Sequence, residues 1–367
     1  MHKLNNVNIK SINELPSPNE FIEKLGRKKS REKFIIESRN EISEILFGND
    51  KRLLLIVGPC SIHDIDSGLE YAKNFKKLAE SVKDKILLVM RAYFEKPRTS
   101  IGWKGLILDP HLNQTPDVLT GLTMARQFLS KLIDMEIPTA TELLDPITPQ
   151  YIADLISWSA IGARTTQSQA HRQLASGLSM PLGFKNTTDG SIKTAIHAIQ
   201  AAQHPQTFIG INEQGRPSYI TTHGNPHCHI VLRGGLKKPN YDPKSIQLTE
   251  EELKANNLQP SIMIDCSHDN CDKEHQKQIT VFNSIIKQIQ KGNNNIKALM
   301  LESNLHAGNQ PFPQQKENLK HGVSITDPCL DWDTTLSLIT SAHKALEKNL
   351  PLSFSTPQQK LNSISLT

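Results

Sequence analysis

The chain predicts an α/β fold: a (β/α)8 TIM barrel with an N-terminal extension and an inserted β-hairpin. Three observations predict it. Eight short apolar runs recur along the 367 residues, separated by segments with helical spacing. The runs are continuous rather than alternating, which suits parallel strands buried on both faces. Each run also leads into a Cys, His, Glu, Lys or Arg at or just past its C-terminal end, the face of such barrels where reactive residues gather.

Taken in order, residues 1–50 form an extension rich in Lys, Asn and Ser. Within it, Ile42, Ile45 and Leu46 give residues 38–47 helical spacing, so a helix is expected to pack there on the barrel or on a partner. The catalytic barrel is expected over residues 51–348. Its strands read as 53–57 leading to Cys60, 86–90 to Arg91, 138–141 to Glu142 and 159–163 to Arg164. The remaining four are 181–184 leading to Lys185, 229–232 to Arg233, 261–265 to His268 and 297–301 to Glu302. Helices over 67–82, 118–135, 149–157, 168–176, 192–202, 249–257 and 272–291 fill the intervals, and 334–346 closes the ring. One interval breaks the rhythm. Residues 207–222 hold two short apolar runs flanking Glu213-Gln214-Gly215-Arg216, the pattern of a hairpin set outside the barrel. The tail, 349–367, is polar with two prolines and reads as loose.

A net charge of +5, a pI near 8.8 and only 5% aromatic residues argue against a nucleic-acid surface. No run reaches membrane-spanning length, and the first residues lack a signal-peptide core. Five scattered cysteines do not make a disulfide framework, so a reducing cytoplasm is the expected compartment.

Two constellations carry chemistry. Cys60, His268, Glu302 and Asp327 all follow barrel strands and offer sulfur, nitrogen and oxygen together. That mixture suits one divalent metal ion of the Mn, Fe, Co or Zn group rather than Ca or Mg. The second is cationic: Arg91, Lys96, Arg98, Arg164, Lys185 and Arg233. At 4 Å and an effective dielectric near 20, each like-charge contact costs about 4 kcal/mol, so multiply charged anionic ligands are the simplest reason for the cluster. Glu142 lies among them and is placed to orient a cation or a water. The glycines of Arg233-Gly234-Gly235 are expected to open backbone N–H groups to an anion. Lys96-Pro97-Arg98-Thr99 sets two cations and a hydroxyl on a stiff loop. Two phosphate sites beside one metal fit an enzyme that joins or splits phosphorylated metabolites.

Longer motifs resemble one family. They are Gly58-Pro59-Cys60-Ser61-Ile62-His63-Asp64, Arg91-Ala92-Tyr93-Phe94-Glu95-Lys96-Pro97-Arg98-Thr99 and Gly162-Ala163-Arg164-Thr165-Thr166. Gly183-Phe184-Lys185-Asn186, Leu232-Arg233-Gly234-Gly235, Asp265-Cys266-Ser267-His268 and Ser324-Ile325-Thr326-Asp327 complete the set. Together they resemble type I 3-deoxy-D-arabino-heptulosonate 7-phosphate (DAHP) synthase over nearly the whole chain. The resemblance implies condensation of phosphoenolpyruvate with erythrose 4-phosphate, at the head of aromatic amino-acid synthesis. It implies metal ligation by Cys60, His268, Glu302 and Asp327. Phosphoenolpyruvate contacts fall on Arg91, Lys96, Glu142, Arg164, Lys185 and Arg233, and the aldose phosphate site on Arg98 and Thr99. In the expected mechanism the metal polarises the aldehyde and Lys96 supplies or shuttles a proton. Glu142 and His268 are the alternatives for activating water. Two positions depart from the family: Thr187 stands where Gly is usual, and Gln167 replaces a usual Glu.

The resemblance also implies a homodimer or homotetramer and an aromatic amino-acid effector. The effector cleft maps onto Pro149, Gln150, Leu178, Ser179, Phe208, Gly210 and Ile220, with Asn5 and Asn6 from a neighbouring N-terminal arm. Phenylalanine-sensitive members tend to carry Ser at the position of Gly210, so tyrosine is the expected effector. Three rivals stand beside this reading. One is a relative condensing arabinose 5-phosphate, another a Schiff-base aldolase at Lys185, and the third a non-catalytic barrel.

Overall fold

The computed structural model describes residues 4–26, 28–236 and 238–347, so the tail expected over 349–367 lies outside the described residues. In chain order the strands are β1 (Leu53–Gly58), β2 (Ile86–Arg91), β3 (Thr139–Glu142), β4 (Trp158–Ile161) and β5 (Leu182–Lys185). They continue with β6 (Thr207–Ile211), β7 (Pro217–Thr221), β8 (Cys228–Leu232), β9 (Ile262–Asp265) and β10 (Ile296–Glu302). β6 and β7 pair only with each other, antiparallel. The other eight close a parallel barrel in which β1 meets both β2 and β10, and β5 meets β8.

Helices α1 (Pro18–Leu25) and α2 (Lys29–Phe47) precede the barrel. Around it run α3 (Ile65–Val82), α4 (Val118–Asp134), α5 (Pro149–Ile152), α6 (Gln169–Gly177), α7 (Lys193–Gln203), α8 (Pro243–Ala255), α9 (Lys277–Gln290) and α10 (Trp332–Glu347). Two apolar layers result. Along β1, Leu53, Leu55 and Val57 join the cluster shared with the outer helices, whereas Leu54 and Ile56 join an inner one with Val89, Met263 and Met300. This is why β1 is apolar throughout. Trp158 fills the inner layer, its indole N–H donating to His229 Nε2 at 3.0 Å. Gly183 makes room for it, since a Cβ there would sit 2.6 Å from the Trp158 ring.

The extension packs on the barrel. Ile42, Ile45 and Leu46 of α2 are fully buried in the inner cluster and cover one end of it. At roughly 1.5–3 kcal/mol per buried side chain, three such residues suffice to hold the helix in place. α2 starts nine residues earlier than position 38, its first turns being anchored by buried Ile35 and partly buried Phe34 while the residues around them are polar or exposed. α1 was not expected, although Ser17-Pro18-Asn19-Glu20 is a capping box with proline at the first helical position. It is held by Phe21 edge-on to Tyr151, with ring centroids 5.4 Å apart, and by the Asn19 N–H donating to the Glu213 carbonyl in the hairpin turn. α8 begins at Pro243, six residues before the expected start, capped by Asp242. α9 begins at Lys277 rather than 272, because Asp272 and Lys273 adopt positive φ (52° and 60°) after a short 3-10 turn.

Candidate active site

The C-terminal ends of the barrel strands open onto a cavity of 520 Å³. Its lining includes Lys96, Arg98, Thr99, Glu142, Arg164, Lys185, Arg233, His268, Glu302 and Asp327, ten residues singled out from the sequence. Cys60 is fully buried beneath them.

Cys60, Glu302 and Asp327 place their ligand atoms within 4.8 Å of one another. Donors bound at about 2.0–2.3 Å to one ion lie about 3–4.6 Å apart, so the three fit a single cation. His268 stands at the edge of this set, with Nε2 4.0 Å from Glu302 Oε1. Its Nδ1 faces the Asp265 carboxylate at 2.9 Å, which leaves Nε2 turned toward Glu302. Long-range bonds build the cluster. Ser61, next to Cys60, shares a 2.8 Å hydroxyl bond with Thr326, next to Asp327, across 265 positions of chain. Buried Gln278 bonds both backbone groups of Glu302.

Burial pushes the Cys60 thiol up to about 12, helped by the carboxylates of Glu302 and Asp327. Near neutral pH the proton therefore sits on sulfur, and a metal must displace it. Metal affinity is thus expected to rise with pH, about tenfold per unit for one proton released. Titrating chelator-treated protein with Co²⁺ at two pH values, read by thiolate-to-metal absorption, checks the slope; Cys60→Ser should lose both the band and the slope.

The cations have distinct partners. Arg91 is fully buried and bonds Glu302 Oε1 at 2.9 Å, so it lies under the cavity floor rather than lining it. Lys185 sits 3.3 Å from Asp265 and 3.4 Å from Glu142. Burial works to strip its proton, but those two carboxylates raise its pKa and keep it an ammonium. Lys96 Nζ lies 3.2 Å from the Cys60 carbonyl oxygen and 3.1 Å from Cys60 Sγ. It too is raised despite burial, by Cys60 once that thiol ionises and by the Asp327 and Glu302 carboxylates. Arg233 pairs with Asp269. Among the described residues, Arg98 and Arg164 bond neutral oxygens instead, the Trp103 carbonyl at 2.8 Å and Thr99 Oγ1 at 3.2 Å. Those two guanidiniums form no ion pair with a carboxylate among the described residues.

Sequence reasoning gave no role to Tyr93, Asp265 or Asp269. The Tyr93 ring lies under three cations, with Arg91 Cζ at 4.0 Å, Lys96 Nζ at 5.8 Å and Lys185 Nζ at 5.9 Å from its centroid. Asp265 had a legible signal, an acidic residue ending a buried strand. The expectation that Gly234 and Gly235 offer N–H groups to an anion is corrected. Gly234 N–H donates to Asn240 Oδ1 at 2.8 Å and Gly235 N–H to the Lys238 carbonyl at 3.1 Å. Thr187 does not disturb its turn; its hydroxyl bonds Asp189, and its N–H reaches the Ser191 carbonyl.

A second cavity, of 330 Å³, lies away from the barrel mouth and is lined by Pro149, Gln150, Leu178 and Ser179, together with Pro18, Arg39 and Glu213. Phe208, Gly210 and Ile220 share the half-buried face of the hairpin, and Ile209 and Tyr219 the exposed one. Asn5 and Asn6 are exposed and do not line this cavity within the chain.

Comparison with known proteins agrees with this geometry. The model of the DAHP synthetase I family matches residues 29–340. A Tyr-sensitive phospho-2-dehydro-3-deoxyheptonate aldolase of Salmonella typhimurium is 51% identical over 347 residues, covering 95% of this chain and 97% of that protein. A Phe-sensitive relative of Escherichia coli is 47% identical over 339 residues, covering 92% and 96%. The solved phospho-2-dehydro-3-deoxyheptonate aldolase of Francisella tularensis superposes with a TM-score of 0.91 at 42% identity, over 94% of this chain and all of that one. Barrel, mouth and near-full-length identity point one way, and the chain belongs to the DAHP synthetase I family.

Proposed function

We infer that the chain condenses phosphoenolpyruvate with D-erythrose 4-phosphate and water, giving DAHP and inorganic phosphate at the first step of the shikimate pathway. One observation carries the reading of the site. A three-residue set that fits a metal sits against Lys96, at the edge of a cavity lined by Arg98, Arg164, Lys185 and Arg233. When bound, a divalent ion of the Mn, Fe, Co or Zn group, held by Cys60, Glu302 and Asp327 with His268, supplies Lewis-acid polarisation of the aldehyde. Arg164, Lys185 and Arg233 bind phosphoenolpyruvate, and Arg98 with Thr99 takes the aldose phosphate. Arg91 acts from below by holding Glu302. As C3 of phosphoenolpyruvate bonds to the aldehyde carbon, the aldehyde oxygen takes a proton from Lys96. Water then adds at C2 and gives one proton to Glu142 or His268, and the C2–O bond to phosphate breaks as the C2 hydroxyl becomes the ketone and its proton leaves with the phosphate. The nearby cations stabilise the departing phosphate.

A phosphate-release assay with both substrates, with and without chelator, tests this. Activity is expected only with metal, and no turnover is expected with arabinose 5-phosphate. The Schiff-base reading requires a neutral Lys185, which its two carboxylate neighbours oppose. Borohydride trapping at Lys185 would overturn the metal reading.

We also infer tyrosine feedback at the 330 Å³ cleft beside the hairpin. In this reading residues 1–50 form the oligomer arm of a homodimer or homotetramer, and Asn5 and Asn6 reach a neighbouring subunit's cleft. Asn6 then hydrogen-bonds the phenol. A neutral hydrogen bond is worth about 0.5–1.5 kcal/mol, or about 2–12-fold in affinity. Gly210→Ser is expected to shift preference toward phenylalanine. Its Cβ would meet Ile220 Cδ1 at 2.8 Å, the far end of a flexible side chain that can move. Inhibition curves with both amino acids, and light scattering for the oligomer, check this; stronger inhibition of the unmutated enzyme by phenylalanine sinks it.

A further inference from the structure

Three asparagines hold the loop that carries Arg233. Asn186, directly after β5, is fully buried. Its Oδ1 accepts the Arg233 N–H at 2.8 Å, and its Nδ2 donates to the Gly234 carbonyl at 2.9 Å. Asn240 accepts the Gly234 N–H at 2.8 Å and donates from Nδ2 to Asn186 Oδ1 at 3.2 Å. Asn270, in the turn after β9, accepts the Asn240 N–H at 2.9 Å. Its Nδ2 donates to the Leu232 carbonyl at 3.1 Å and the Asp265 carbonyl at 2.9 Å. The ends of β5, β8 and β9 are thereby joined through side-chain amides, past the point where their strand pairing stops. Gly234 completes the joint. It has a φ of +78°, and a Cβ there would lie 2.5 Å from the Asn270 backbone nitrogen, so only glycine lets the two turns approach.

The amide chemistry suits this use. Each asparagine offers donors and an acceptor without a charge, so it fixes backbone beside a phosphate site without adding a rival anion or cation. Asp269, next to Asn270, pairs with the Arg233 guanidinium, so one turn restrains both the backbone and the head of that residue. A guanidinium recognises phosphate through a two-pronged geometry, and small misplacement of its base costs that match.

We propose that Asn186, Asn240 and Asn270 form an amide clamp that positions Arg233 for phosphoenolpyruvate, with Asn240 as its accessible member. The inference rests on Arg233 binding that substrate, as set out under the proposed function. None of the three touches substrate; they act through Arg233.

The test is a double-mutant cycle on the metal-loaded enzyme. Asn240→Ala is expected to raise KM for phosphoenolpyruvate about tenfold and leave KM for erythrose 4-phosphate within about twofold. In an Arg233→Ala background the same substitution should add less than about twofold, because the residue it positions is gone. Asn240→Ser, which draws its oxygen back from Gly234, gives the same readout if the alanine variant does not accumulate folded. An Arg233→Ala enzyme with unchanged KM for phosphoenolpyruvate would remove the assignment of Arg233 itself. If Arg233→Ala raises that KM while the Asn240 variants do not, or if the two substitutions multiply independently, the clamp is refuted and the assignment of Arg233 stands.

Discussion

Replacing Lys96 with methionine is expected to lower kcat by about a hundred- to ten-thousandfold, the usual contribution of a positioned proton donor. Methionine keeps the length and apolar bulk of a side chain that is 8% exposed, so packing is little disturbed. What disappears is an ammonium 3.1 Å from Cys60 Sγ, held charged by the Asp327 and Glu302 carboxylates against the pull of burial. Metal content should be measured alongside, because the same ammonium opposes a cation at Cys60, and the variant is expected to hold its metal at least as tightly. A loss of kcat with metal retained separates proton transfer from metal binding. Turnover within tenfold of the unmutated enzyme would remove Lys96 from the chemistry.

The second large effect falls on stability. Arg91→Met is expected to cost about 3–5 kcal/mol, the penalty for leaving a buried charge without its partner. The Arg91 side chain is fully buried and that of Glu302 is 2% exposed, and they meet at 2.9 Å. Glu302, almost wholly buried, loses the guanidinium bonded to its Oε1, and Tyr93 loses the cation 4.0 Å from its ring centroid. Urea unfolding should be followed on chelator-treated protein, since bound metal would mask the unpaired carboxylate. Adding Glu302→Gln to Arg91→Met removes the orphaned charge and should recover part of the loss. A double variant less stable than the Arg91→Met single would show that the deficit comes from packing instead.

Much of the site was legible residue by residue. Buried strands need unbroken apolar runs, and a polar residue at the end of each run stands out against them. That contrast marks Cys60, Glu142, Lys185 and Glu302 without any structure. The hairpin was legible as well, as a pair of short apolar runs lodged where a helix was due. α1 was missed despite its capping box, because the search followed apolar periodicity and an eight-residue helix carries little of it. The start of α8 was missed for a similar reason, its Asp-Pro cap standing ahead of the apolar positions.

The sequence by itself determined the barrel, the order of its strands and most of the groups at its mouth. Those follow from local hydrophobic runs, helical spacing and motifs a few residues long. Only the tertiary structure decided how the groups pair. Arg91 meets Glu302 across 211 positions, Ser61 meets Thr326 across 265, and Asn186 meets Gly234 across 48. Such pairings depend on how the barrel closes and on side-chain direction at each strand end, and no periodicity of the chain encodes them. Hence a row of six like charges became two buried cations neutralised by carboxylates, one paired in the next turn, one against the metal-ligand cluster and two bonded only to neutral oxygens. The glycine N–H groups expected to face an anion were instead taken up by Asn240 and Lys238, because a backbone donor removed from water takes whatever acceptor the fold brings to it.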